Sequence, residues 1–174
     1  MSLLISKKII KDWTDYNNHM NLAYYILLFD MGAEQMLSKF KMGEHSARTT
    51  GMSTMVVETH TTYNNEVKEG EEVEINLSYF DHDKKRLHYK LEMYEKDKKK
   101  LSATTEVLSL YINLNLRKVS EFENEKVNIM DQFIKENSSK FKIDNLHFSN
   151  KQTHSIIPQK EVRKSKNLSR NLQR

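Results

Sequence analysis

Residues 15–25 read Asp-Tyr-Asn-Asn-His-Met-Asn-Leu-Ala-Tyr-Tyr and run without a break into the apolar stretch Ile26–Phe29. A carboxylate (Asp15), an imidazole (His19) and two carboxamides (Asn17 and Asn21) stand where a helix should begin. Behind them Leu22, Tyr25, Ile26, Phe29, Ala33, Met36, Leu37 and Phe40 recur at helical spacing. Met20, Ala23, Tyr24, Leu27 and Met31 make much of the opposite face apolar too. The pattern predicts one long helix, about residues 20–42, buried on nearly every side. Asp30, Glu34, Lys39 and Lys41 bring its second half out towards solvent, and Gly43 suits the position behind its end, where a positive φ is needed. Polar groups at the mouth of a buried helix cost desolvation unless they are used, which marks this segment for function.

Beyond Ser53 the period changes to two. Met55, Val57, Thr59, Thr61 and Tyr63 alternate with Val56, Glu58, His60 and Thr62, a strand pattern rich in β-branched residues. Three more strand-like runs follow, Val73–Phe80, Leu87–Glu95 and Leu101–Asn113, joined by polar turns short enough for antiparallel hairpins. Leu3–Ile10 reads as a further strand and Val127–Lys135 as a short helix. The order is strand, long apolar helix, then a strand meander: an α+β fold in which a curved antiparallel sheet of about five strands wraps the helix. Such a sheet leaves an edge and part of one face bare, so pairing with a second copy is expected.

The chain has 174 residues, enough for one domain with a tail. We expect the domain to span residues 1–137 and the remainder, 138–174, to be a polar, basic and flexible tail. Six basic residues against Glu161 between Lys160 and Arg174 account for the net charge of +4 and leave the rest near neutrality. No aromatic residue is interleaved among those cations, which argues against nucleic acid as a partner. Cysteine is absent, so there is neither a disulfide framework nor a thiolate metal site. His45, His60, His82, His88, His147 and His154 show no metal-ligand spacing, and we expect no metal. Leu3-Leu4-Ile5 before Lys7-Lys8 is too short for a signal segment, and no run approaches the roughly 18 apolar residues of a membrane span. These features predict a cytoplasmic protein without a membrane partner.

Asp15-x-Asn17-x-His19-Met20-Asn21, with Tyr25 in an apolar helix, resembles the signature of hotdog-fold acyl-CoA thioesterases of the 4-hydroxybenzoyl-CoA thioesterase type. Val56-Val57-Glu58-Thr59-His60, with Tyr63, Glu66-Val67 and Gly70, is similar to that family's second strand and turn, and Ala103-Thr104-Thr105-Glu106 to its last strand. The resemblance covers about residues 5–115. Trp13-Thr14-Asp15-Tyr16-Asn17 and Ala23-Tyr24-Tyr25 look most like the betainyl-CoA thioesterases of that family. The chain departs from the family at Asn18, where glycine is usual, and at Leu22, where a second asparagine is usual. It carries Tyr111 and Asn113 where the betainyl-type relatives tend to have His and Asp.

The resemblance implies hydrolysis of a short-chain or polar acyl-CoA by a homodimer or tetramer, with no cofactor beyond the coenzyme A of the substrate. It makes Asp15 the catalytic carboxylate, as nucleophile or as base for water, and the backbone N–H groups near Asn21 or at Gly51–Ser53 the oxyanion donors. On residue type alone Asp15 equally fits a helix-start residue. Glu58, mid-strand among apolar neighbours, reads as a second acid or base or as a dimer-contact residue. His19 could orient Asp15 or bind substrate, or serve as a structural hydrogen-bonder. Asn17 and Asn21 could fix the turn or touch the thioester. Tyr24 and Tyr25 read as core residues, one of their hydroxyls reaching the site, and Tyr25 is the expected substrate contact. Trp13 and Tyr16 bracket Asp15 and could face a quaternary ammonium group, or simply pack at the entrance. The alternatives to an enzyme of this kind are a non-catalytic acyl-CoA-binding or sensing protein and a hotdog dehydratase, whose Asp/His helix-loop insert is not recognisable here.

Overall fold

The apolar run after Asn21 forms α1 (Leu22–Lys39), the axis around which the chain is wrapped. Asn21 starts it: the side-chain oxygen accepts the Ala23 N–H at 3.0 Å, satisfying a first-turn amide that the helix itself leaves without a partner. The computed structural model describes residues 2–148. At the other end of α1, Lys41 rather than Gly43 takes the left-handed position, at φ 57°. Met42 N–H bonds to Leu37 O and Lys41 N–H to Ser38 O, a Schellman closure sealed by the buried Leu37 and Met42. Gly43 instead opens a second helix, α2 (Glu44–Thr50), that the apolar periodicity does not announce. It sits at φ 91°, and the Glu34 carboxylate fills the space that a side chain there would need.

Five long antiparallel strands curve against one flank of α1, leaving Leu22, Ile26 and Leu27 of the helix exposed: β1 (Ser2–Lys8), β2 (Met52–Tyr63), β3 (Glu72–His82), β4 (Arg86–Glu95) and β5 (Lys100–Asn113). Their spatial order is β1-β3-β4-β5-β2, and β6 (Lys118–Val119) folds back on the end of β5. Val73, Ile75, Leu77, Leu91, Met93 and Ala103 form the inner face, buried in one cluster with Leu28, Phe29 and Met36 of α1. Gly32 permits the close approach, since a Cβ there would lie 2.8 Å from Ile75 Cγ2. This is the expected α+β hotdog arrangement.

Strict alternation fails in places. The registers shift between Leu3 and Ile5, Val56 and Glu58, Leu77 and Tyr79, and Met93 and Tyr94. Bulges of this kind bend and twist a strand. In β2 the consequence is that Met55, Glu58 and His60, opposite Leu110, Leu108 and Glu106, share the outer face, while Val56, Thr59, Thr61 and Tyr63 turn towards α1.

The chain stays on the sheet beyond residue 137, the expected end of the domain, as far as Phe148, the last described residue. After α3 (Asn124–Asn137), which lays Phe133 against Phe40 and Phe80, the chain does not leave the fold. It crosses the outer face of the sheet as a strap over residues 141–148, where Phe141 and Leu146 pack on Tyr79 and Lys142 N–H bonds to Ser78 O. Glu106 of β5 accepts the backbone N–H groups of His147 and Phe148 at 2.6 and 2.9 Å. The basic stretch from Lys160 onwards lies outside the described residues. No helix among those described is long and apolar enough to cross a membrane.

Candidate active site

Thr14 to Met20 forms a small hairpin immediately before α1. Thr14 and Met20 bridge, Asp15 N–H bonds to His19 O at 2.9 Å, and Asn18 N–H closes a turn on Asp15 O at 3.0 Å. Asn18 completes it in the left-handed region, at φ 60°. Asparagine tolerates that conformation, which accounts for its presence where glycine is usual in the family it resembles. Asp15 is half-buried, and its Oδ1 accepts the Asn17 N–H at 2.8 Å. This Asx turn fixes the carboxylate's orientation and uses the backbone, not the side chain, of Asn17. Asn21 is committed to capping α1.

The hairpin is docked onto the loop between β2 and β3. Met20 N–H bonds to Val67 O at 2.7 Å, and His19 bridges to Lys68. His19 Nε2 lies 3.0 Å from Glu66 Oε2, and Lys68 Nζ lies 3.3 Å from the other carboxylate oxygen. Glu66 is the partner the sequence reading passed over, because nothing in the linear order links it to His19. Tyr25 is buried, with its ring edge-on to Tyr63 at 5.3 Å. Burial pushes its hydroxyl above the ordinary phenol range; a hydrogen bond with the Val67 backbone works against this and the charge of Glu66 adds to it.

The remaining expected residues are dispersed. Trp13 stacks on Tyr24, with centroids 5.5 Å apart, while Tyr16 at the hairpin tip is 94% exposed, so the two do not form a cage within the chain. Glu58 is not buried: β2 is the edge strand of the sheet, and Glu58 projects from its outer face, on the side away from α1. Within one chain it therefore does not meet Asp15. Gly51 is also unsuited to stabilising an oxyanion, since its N–H closes α2 on Ala47 O. At the start of α1, Ala23 N–H is taken by the Asn21 side chain and Tyr24 N–H by Asn21 O, while Leu22 N–H has no acceptor within the helix. Tyr111 and Asn113 serve the framework: the Tyr111 hydroxyl bonds to Glu123 at 2.8 Å, and Asn113 Oδ1 accepts the Leu116 N–H. No group of three His, Asp or Glu residues among those described could hold a metal ion.

The chain is 29% identical over 117 residues to the betainyl-CoA thioesterase of Pseudomonas aeruginosa, covering 67% of this chain and 74% of that protein. It is 30% identical over 116 residues to the L-carnitine dehydrogenase/betainyl-CoA thioesterase of Ruegeria pomeroyi, of which it spans only 23%. Among solved structures, a Staphylococcus aureus protein in complex with CoA superimposes with a TM-score of 0.73 at 22% identity, over 89% of this chain and 96% of that one. The DHNA-CoA thioesterase of Staphylococcus aureus does so with a TM-score of 0.70 at 16% identity, over 82% and 95%. The Thioesterase-like superfamily matches residues 10–137, which take in the hairpin, α1 and the strands from β2 onwards, and the chain belongs to that superfamily.

Proposed function

We propose that the chain hydrolyses acyl-CoA thioesters, with Asp15 as the catalytic carboxylate. The observation that carries this reading is the placement of Asp15: a half-buried carboxylate, held by its Asx turn, in the hairpin that leads into the N-terminus of α1. A thioester carbonyl presented there has a negative group on one side and the Leu22 N–H, at the positive end of the helix dipole, on the other. Asp15 either attacks the carbonyl carbon or takes a proton from the attacking water; both routes release the free acid and the CoA thiol. No cofactor is needed beyond the coenzyme A of the substrate. The two betainyl-CoA relatives support a small polar acyl group, and Trp13 offers the aromatic surface for a quaternary ammonium.

The working unit in this reading is a homodimer joined along β2. Met55, Val56 and Val57 of that edge strand are exposed, as are Leu22, Ile26 and Leu27 on α1, the helix expected to be buried on nearly every side. A single sheet covers only one flank of the helix. An edge of 12 residues with apolar side chains is an association site unless a partner strand covers it.

The test is Asp15→Asn, assayed by thiol release from a panel of acyl-CoAs once wild type has identified a substrate. Asn keeps the size of the side chain and its Asx bond to Asn17, so folding and binding of a non-hydrolysable analogue should persist. General-base catalysis alone contributes about 10²–10⁴-fold. A folded variant retaining more than about a tenth of wild-type kcat would remove Asp15 from the mechanism.

A further inference from the structure

The hairpin that carries Asp15 also carries His19, and the two are cross-hairpin neighbours, since Asp15 N–H bonds to His19 O. Residues so paired present their side chains on one face of a hairpin. His19 is in turn held from outside. Glu66 reaches it at 3.0 Å with one carboxylate oxygen and Lys68 at 3.3 Å with the other, so the carboxylate is fixed at both ends. The backbone beneath is rigid: Val67 is fully buried and its carbonyl receives the Met20 N–H. An imidazole that gives its Nε2–H to a carboxylate keeps Nδ1 as its basic nitrogen. The pair itself is open to solvent, with His19 and Glu66 side chains 34% and 54% exposed, and ion pairs so exposed do little for stability. A carboxylate placed on a rigid loop, 3.0 Å from a histidine beside the candidate catalytic aspartate, has its effect on that histidine.

We propose that Glu66 is a positioning residue that acts through His19, fixing the ring and its tautomer beside Asp15. This rests on the thioesterase reading above. Held by Glu66 at Nε2, the imidazole keeps Nδ1 as its acceptor nitrogen. Lys68 keeps the carboxylate from rotating away.

The test compares wild type with Glu66→Gln and Glu66→Ala, each alone and combined with His19→Ala, on the best acyl-CoA of the panel. Gln keeps an acceptor oxygen but not the charge, so kcat should fall about threefold for Gln and about tenfold for Ala, with KM within about twofold. In the His19→Ala background both substitutions should change kcat by less than about 1.5-fold, because the residue they act through is gone. A loss from Glu66→Ala that persists without His19, or no loss with His19 present, overturns the proposal. So does a His19→Ala variant as active as wild type. Ring 15N shifts give a readout independent of turnover: His19 should be protonated at Nε2 in wild type and a mixture of tautomers in Glu66→Ala. Should wild type release no thiol from any acyl-CoA, the thioesterase reading fails, while these shifts still decide whether Glu66 fixes the ring.

Discussion

Replacing Glu106 by Gln measures what holds the strap to the sheet. Glu106 is 2% exposed, and its two oxygens receive three donors: His88 Nε2 at 2.7 Å and Phe148 N–H at 2.9 Å on one, His147 N–H at 2.6 Å on the other. In the amide one oxygen becomes an NH₂, so at least one donor faces a donor and the others lose a charged acceptor. A bond to a charged group is worth about 1.5–3 kcal/mol and a neutral one about 0.5–1.5, so the gross loss is about 3–5 kcal/mol. Part is returned because the buried charge no longer has to be desolvated, leaving a net cost of about 2–3 kcal/mol. At about 2–4 °C per kcal/mol for a chain of this size, the melting temperature should fall by about 5–10 °C. Hydrogen exchange should show the amides of His147 and Phe148 losing protection before those of β5.

The effect also has a defined pH dependence. Burial pushes the Glu106 carboxyl up, but hydrogen bonds from His88 and from the Phe148 and His147 amides outweigh it and hold the group below the usual carboxylate range. A depressed folded-state value stabilises above the unfolded pKa, about 4.3, and that contribution is lost as the pH falls through the folded value. The gap between wild type and Glu106→Gln should therefore be full at neutral pH and close in acid below about pH 4. Asp81, raised by burial in spite of the His82 amide and the nearby His82 and His88, acts in the opposite sense but is common to both proteins. A melting temperature within about 2 °C of wild type, unchanged protection at His147 and Phe148, or a gap that widens in acid would each refute the account.

Gly43→Ala should cost about 2–3 kcal/mol in chemical denaturation, because it combines a glycine-type backbone angle with displacement of the Glu34 carboxylate that accepts the Glu44 N–H at 2.8 Å. Wild type should sediment as a dimer at micromolar concentration, and Val57→Lys on the β2 edge should shift it towards monomer; a wild-type monomer would count against the pairing. A chain ending at Ile157 should melt and turn over like the full chain. One ending at Lys140, which removes Leu146, Phe148 and the donors to Glu106, should melt well below it in the same thermal scan.

What could be read from the order of residues depended on period. The helix after Asn21 and the four strands from Ser53 to Asn113 are written in spacing, and the structure places them within a residue or two of expectation, apart from the end of the helix. The polar α2 offers no apolar period to read, and without it Gly43 looks like the end of one helix rather than the start of another. The bulge in β2 breaks the count of two, and only strand order shows that β2 is an edge; together they put Glu58, whose neighbours in the chain are apolar, on the exposed outer face. In the site, the local pieces were legible: the turn at Asn18 and the cap at Asn21 are near-neighbour chemistry. The pairing of His19 with Glu66 was not, because folding alone brings the hairpin to a loop more than forty residues away.

The register shifts in β1, β2, β3 and between β4 and β5 have a geometric consequence for the whole molecule. A ladder that kept perfect count would twist steadily but gently, and its concave side would be too shallow for a helix of 18 residues. Each skipped step is a joint at which the strand turns without giving up its hydrogen-bonded neighbours on either side. The curvature of the sheet is thus concentrated at a few single residues, such as Val57 and Ser78, instead of being spread along the strands. The cradle for α1, and with it the height at which the Asp15 hairpin meets the β2–β3 loop, is set by where the chain miscounts.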